Sequence, residues 1–522
     1  MSFVPVAKPG AGKRKRRNPK QEPRKIVRMN RSRGLASLLA LSGFLAGCAA
    51  GPSYQAPLAA DLGVPAGYSG AAAGTGPLSA PLSAPLSDAD LAGWWRRFDD
   101  PALDSLVERA MAANLDIRQA EARLRQAEEA SVQAGAGFFP SVSASGSGGR
   151  NFSGGTAAGI GTGTGTGGTG TGGGGSGNRL SASLSASWQV DLFGGLRRGL
   201  EAARAGEAAS RYSLADVRVT VVSSVVTNYL QLRLAQEQLR IARLSLGNQR
   251  DNRAIAGWRV QAGLGSSLDE EQARAQLAQT EAGIPAIEAE VKNRLNQIAI
   301  LTGDAPGAAT LALEEVRPLP APPRGIAVGI PADTLRQRPD VRAAERNLAA
   351  ATAQVGVAEA ALLPSLSLTG SVGSSAVRFG DLFDVVTGSA FASIGQLLFD
   401  GGARSSQVRA RKAAADGAFA AYKAVVLQAL ADVENGLTAA ATADSRETQL
   451  KVAAEAADNS AILARMQYQS GVTDFQTLLL AEQTLLSANN ALAAGEVARS
   501  LAVVQLYNAL GGGWQNMDGT NG

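Results

Sequence analysis

The sequence predicts a mainly α-helical chain that also contributes strands to a membrane β-barrel. Three observations predict this fold class. The chain repeats itself, each copy holds a very long proline-free helical stretch, and short segments of strict two-residue alternation precede those stretches. Pro140-Ser141 recurs as Pro364-Ser365, 224 residues later, and Gly194-Gly195 as Gly401-Gly402, 207 later. Gln261-Ala262-Gly263 recurs as Gln469-Ser470-Gly471, 208 later, and Leu301-Thr302-Gly303 as Leu510-Gly511-Gly512, 209 later. The order is kept and the spacing is nearly constant, which marks a duplicated helix-strand-strand-helix unit.

In chain order, residues 1–47 read as a basic leader with a signal peptide, and Met29 is a possible true start. This segment holds 12 Lys and Arg and one acidic residue, Glu22, which leaves 38 basic and 44 acidic residues beyond it. The net charge of +5 is therefore a property of the leader, and it gives no support to nucleic-acid binding. Arg31 and Arg33 precede an apolar run, Leu35 to Ala46, that is too short to cross a bilayer as a helix. Leu45-Ala46-Gly47-Cys48 then matches the bacterial lipobox, in which the cysteine is acylated and becomes the mature N-terminus. Cys48 is the expected lipid attachment site. Ala49 is not the Asp that resembles an inner-membrane retention signal, so the outer membrane is the expected destination.

The chain has one cysteine and no histidine. It cannot form an internal disulfide, it lacks the usual zinc and copper ligands, and it lacks the usual base of a hydrolase triad. No spacing of Ser, Asp and Glu pairs a nucleophile with a base. Neither an enzyme nor a cofactor is expected, apart from the covalent lipid at Cys48.

Residues 48–90 read as an extended linker. The first repeat, 91–303, is expected to hold helices at 102–135, 196–258 and 268–302, with strands at 141–149 and 180–190. Its loop 153–177 is Gly-rich; strings there satisfy GxGxxG, but no strand or helix pattern frames them as a nucleotide loop. An inter-repeat segment, 304–339, leads to the second repeat, 340–512, with helices at 340–361, 403–465 and 474–510 and strands at 365–372 and 389–399. Residues 513–522 form a tail. The long stretches lack proline, and Ala fills 21 of the 63 positions in 403–465, which suits close-packed helices. Leu180, Leu184, Trp188 and Val190 alternate with Ser181, Ser183, Ser185, Ser187 and Gln189, in a segment long enough to span an outer membrane when tilted. Four strands cannot close a barrel, and an open edge in lipid leaves backbone groups unpaired, so at least two chains must share one.

Several segments resemble the TolC/NodT outer-membrane-factor family: GPSYQAP (51–57), WWRRFDDPALDSLVERAMAANLD (94–116), IPAIEAEVKNRLNQIAILTG (284–303), GIPADTLRQRPDVRAAERNLAAA (329–351) and ALLPSLSLTG (361–370). The cysteine followed by GPSYQAP is similar to the lipoprotein branch found with RND-type pumps. The resemblance implies a homotrimer with a 12-stranded barrel continued by a long periplasmic helical tunnel. It also implies an equatorial belt from 304–339 and the C-terminus, with a helix break at Pro285. The implied function is a passive exit duct for small toxic compounds, docked by a periplasmic adaptor protein and driven by an inner-membrane RND pump. A type I protein secretion duct and a structural periplasmic coiled-coil lipoprotein are the alternatives. The adaptor would dock at the helical tips through Gly263, Leu264, Ser266, Gly471 and Val472. The resemblance puts gate residues at Asp269, Tyr468, Thr473, Asp474 and Leu480. Thr473 replaces an Arg and Leu480 an Asp of other members, which implies an apolar constriction closed by excluding water.

Overall fold

The computed structural model describes residues 50–65, 91–151, 177–307, 313, 315–323 and 335–514. The chain divides into Met1–Cys48, which lies outside the described residues, and Ala49–Gly522. In chain order the main elements are helices α1 (Pro101–Ala113) and α2 (Leu115–Ala136), strands β1 (Ser141–Asn151) and β2 (Gly177–Val190), and helices α3 (Gly195–Gln261) and α4 (Ser267–Leu301). Then follow α5 (Pro339–Ala360), β3 (Ser365–Ala376), β4 (Val386–Gly395), α6 (Ala403–Gln469) and α7 (Phe475–Ala509).

Helix lengths recur in pairs. α2 and α5 have 22 residues each, α3 and α6 have 67, and α4 and α7 have 35. A 67-residue helix is about 100 Å long. Both long helices start after a glycine in the left-handed region, Gly194 at φ 79° and Gly402 at φ 90°, where any other residue would be strained. Among the described residues no helix is long and apolar enough to cross a membrane.

Three expectations need correction. The helix expected over 102–135 is two helices, because Asn114 stops one and starts the next. Its Oδ1 accepts from the Asp116 and Ile117 amides at 2.9 and 3.2 Å, and its Nδ2 donates to the Leu301 carbonyl at 2.9 Å. The break expected at Pro285 is absent: α4 runs through it. Pro285 lies on the exposed side of the helix, so the Glu281 carbonyl it leaves without a partner can turn to water. The strand expected at 389–399 is Val386–Gly395 instead. Residues 396–399 leave the ladder, and Leu398 and Phe399 stay 91% and 87% exposed.

The four strands form one antiparallel sheet in the order β1-β2-β3-β4. β1 and β4 each have a single neighbour among the described residues, so both edges of the sheet are open. β4 is exposed at every residue. The register sorts the faces. Ser141, Ser143, Ser145 and Ser147 of β1 stand opposite Ser187, Ser185, Ser183 and Ser181 of β2, with hydroxyl oxygens 2.7–2.8 Å apart. Ser367–Ser393 and Ser371–Ser389 continue the hydroxyl face across β3 and β4, which Phe391 interrupts. Leu180, Leu184, Trp188, Leu366, Leu368, Val372 and Ile394 take the other face.

The main core lies where α1, α3 and the end of α7 meet. Trp94 stacks on Tyr507 with centroids 5.1 Å apart, and Arg97 donates to the Tyr507 hydroxyl at 2.6 Å. The segment from Ala50 to Tyr54 is strapped to the helices. Arg198 donates to the Ala50 and Gly51 carbonyls at 3.2 and 3.1 Å and to the Ser53 hydroxyl at 3.2 Å, while the Tyr54 hydroxyl donates to Glu345 at 3.1 Å.

Candidate functional site

The helical hairpins α3/α4 and α6/α7 end in matching turns. Each turn needs one residue in the left-handed region, and glycine fills it: Gly263 at φ 69° and Gly471 at φ 77°. Ser266 caps α4 by accepting from the Leu268 amide at 3.1 Å. Asp474 caps α7, accepting from the Thr477 amide at 2.9 Å and the Thr477 hydroxyl at 2.6 Å. Those bonds, the hydroxyl's first, hold the Asp474 carboxyl below the usual carboxylate range. Leu264 and Val472 project from the turns, 71% and 76% exposed.

Arg259 ties the two turns together. Its Nη1 donates to the Tyr468 carbonyl at 2.6 Å, and its Nη2 donates to the Leu264 carbonyl at 3.2 Å. Its guanidinium also lies over the Tyr468 ring, 4.8 Å from the centroid. Tyr468 is buried and meets Phe475 edge-on at 5.5 Å, within an apolar cluster that includes Ala256, Ala273 and Leu478. Its hydroxyl has no hydrogen-bond partner among the described residues. Burial, reinforced by the charge of Asp269 and opposed by Arg259, pushes the Tyr468 phenol up. Asp269 is thus an electrostatic neighbour of Tyr468.

A second polar layer sits two turns of α7 above the tip. The buried Glu482 carboxylate forms an ion pair with Arg465 of α6, and Asn252 of α3 donates to it at 3.4 Å. Gln483 of α7 donates to Gln276 of α4 at 2.9 Å. Arg259–Tyr468, Asn252–Glu482 and Gln483–Gln276 therefore link the first hairpin to the second at three points.

Sequence reasoning placed Asp269, Tyr468, Thr473 and Asp474 at this end, and the structure places all four there. Thr473 is half-buried in the second turn, and Leu480 projects from α7, 62% exposed. Arg259, Asn252, Arg465 and Glu482 were missed. Glu482 carried a signal, since it is a charge inside the apolar run Leu478–Leu486; Arg259 carried none. Cys48 lies outside the described residues. Among the described residues no group of three or more His, Cys, Asp and Glu is placed to hold a metal ion.

Paired hairpins of this length beneath an open sheet define an architecture that can be compared directly. The model of a family described as outer membrane efflux protein matches residues 106–304 and 330–512. The chain belongs to this family. The pyoverdine export outer membrane protein OpmQ of Pseudomonas aeruginosa is 33% identical over 431 residues, covering 82% of this chain and 89% of that protein. Nodulation protein T of Rhizobium leguminosarum bv. trifolii is 31% identical over 474 residues, covering 90% and 95%. The solved outer-membrane channel OprN superimposes with a TM-score of 0.78 at 35% identity, covering 90% of this chain and all of that one. This outer membrane efflux protein is accordingly a channel component of the outer membrane. The Trp94–Asp116 segment that carries part of the likeness supplies buried core rather than a reactive site.

Proposed function

We propose that three copies of this chain form one continuous exit duct, a 12-stranded barrel in the outer membrane extended by a helical tunnel in the periplasm. The observation that carries this reading is the four-stranded sheet with both edges open, joined directly to helices about 100 Å long. Closing the sheet with copies of itself satisfies every edge group, which lipid requires. The tunnel ends at the paired turns. There Arg259, Tyr468, Asp269 and the Glu482 layer hold the hairpins together, and Thr473, Asp474 and Leu480 line the constriction. Leu264, Val472 and the turn residues Gly263, Ser266 and Gly471 present the surface on which a periplasmic adaptor docks and loosens those links.

Conduction is passive, and an inner-membrane RND pump supplies the energy. Small toxic compounds are the substrates, with selection in the pump. Cys48 carries the lipid, an auxiliary tether that aids targeting and assembly. Deleting the gene and comparing susceptibility across a panel of dyes, detergents and antibiotics tests the efflux role. Increased susceptibility to several compounds, restored by the wild-type gene, is expected; unchanged susceptibility to all of them would sink it.

A further inference from the structure

The hydroxyl face of the sheet carries one charge. Among the residues of the four strands only Arg150 and Arg179 are charged, and both stand at the outer end of the β1–β2 hairpin. The register separates them. Arg179 is opposite Gly149, two positions beyond the Ser181–Ser147 pair, and so lies on the hydroxyl face. Arg150 is opposite Asn178, on the face that carries Leu180 and Leu184. In the trimeric barrel proposed above, on which this inference rests, the apolar face meets lipid and the hydroxyl face lines the lumen.

The wall below Arg179 is short and neutral. Its serines bond to one another across the strands and project little, so Arg179 is the long side chain entering that stretch of the passage. Arg378, Asp381 and Asp384 are exposed in the β3–β4 turn, past the paired residues of both strands. They follow the last paired residues of β3 and so lie outside the hydroxyl wall.

Geometry fixes the reach of the charge. Twelve strands about 4.8 Å apart, tilted by about 40°, give a backbone cylinder roughly 24 Å across. An arginine reaching inward by about 6 Å leaves the axis within roughly 6 Å of its guanidinium, less than the Debye length of about 8 Å at physiological salt. Three such charges act across the whole cross-section. We propose that Arg179 is a specificity-determining residue that sets the ionic preference of the outer mouth, easing the exit of anionic solutes over cationic ones of similar size.

The test uses the full-length protein in intact outer membranes. Ser181→Cys places a thiol on the hydroxyl face beside Arg179, and Ala182→Cys places one on the apolar face. Each is treated with an anionic sulfonatoethyl and a cationic trimethylammonioethyl methanethiosulfonate, with rates normalised to a free thiol and compared with the parent protein. Ser181→Cys should react and Ala182→Cys should not. At Ser181→Cys the anionic reagent should be favoured on the order of tenfold. Adding Arg179→Ser should bring the ratio towards one, Arg179→Lys should preserve it, and 1 M salt should collapse it as the Debye length falls to about 3 Å. An unchanged ratio in Arg179→Ser overturns the role of Arg179 while leaving the barrel intact. Equal reaction at Ala182→Cys and Ser181→Cys overturns the barrel orientation, and this inference with it.

Discussion

At the scale of single residues, Arg259 and Asp216 make opposite demands. Arg259 joins two turns by hydrogen bonds from a charged donor, each of which contributes about 1.5–3 kcal/mol. Arg259→Met keeps the stem and removes those bonds. In planar bilayers the substituted channel should show single-channel conductance severalfold above wild type, and identical conductance would remove Arg259 from the closure. Asp216 is half-buried and feels the charges of Asp340 and Arg338, the latter itself held by Asp340 at 2.7 Å and Asp432 at 3.1 Å. Burial first, then the charge of Asp340, pushes the Asp216 carboxyl up to about 6, with Arg338 opposing. The raised value means that the folded state binds the proton more tightly than the unfolded chain. The contribution of Asp216 to stability is therefore fully present below the ordinary carboxylate value of about 4 and is lost as pH rises through about 6. Asp216→Asn should flatten this dependence and stabilise the protein above pH 6 by on the order of 1 kcal/mol, allowing for the hydration Asp216 retains. Thermal melts followed by circular dichroism between pH 4 and 8 check it, and a wild-type slope retained in the variant would refute it.

At the scale of elements, the N-terminal strap depends on two glycines. Gly51 has φ 86°, and a Cβ there would come within 2.3 Å of the Gly356 Cα; a Cβ on Gly356 would come within 2.9 Å of the Arg198 Cγ and 3.0 Å of the Ala50 carbonyl. Gly356→Leu should expel the strap and break the three bonds made by Arg198, costing about 1–3 kcal/mol. Limited proteolysis should then cut within residues 50–65, at sites that are protected in the wild type; an unchanged cleavage pattern would show that the strap tolerates the side chain. The strap was read from sequence only as an extended linker, because its partners lie from 145 to 291 residues away. The long helices were legible because they lack proline and start at Gly-Gly, and β2 because its alternation is strict. β4 was misplaced by three residues at its start because Leu397, Leu398 and Phe399 look like strand, although apolar residues also gather where a sheet leaves the membrane. Pro285 misled for a similar reason: local chemistry disfavours the helix there, and solvent access to one freed carbonyl overrides it. The turns of the site were legible through their glycines, whereas Arg259 and Asn252 act only through partners on the other hairpin.

At the scale of the molecule, duplication and the proposed trimerisation would serve the same end. Helices of 67 and 35 residues in each half bring two turns to one level in a single chain, so three chains would supply six hairpins to close one mouth. The same three chains would close the sheet. The open edge of β4, 10 residues long, would otherwise leave about half of its backbone groups unpaired in lipid, at several kcal/mol each. In the proposed trimer that cost would make assembly the dominant hold on the membrane. The acyl chains proposed at Cys48, worth about 0.8 kcal/mol per buried methylene, guide the chain there without being the sole anchor. Cys48→Ser separates the two contributions. The substituted protein should lose radioactive palmitate label, yet still sediment with outer membranes and migrate on gels as a heat-modifiable species whose cross-linked ladder stops at three. Retained label would show that Cys48 is not the acylated residue. An unlabelled, soluble monomer in the periplasm would show that the lipid, and not barrel closure, holds the channel in place.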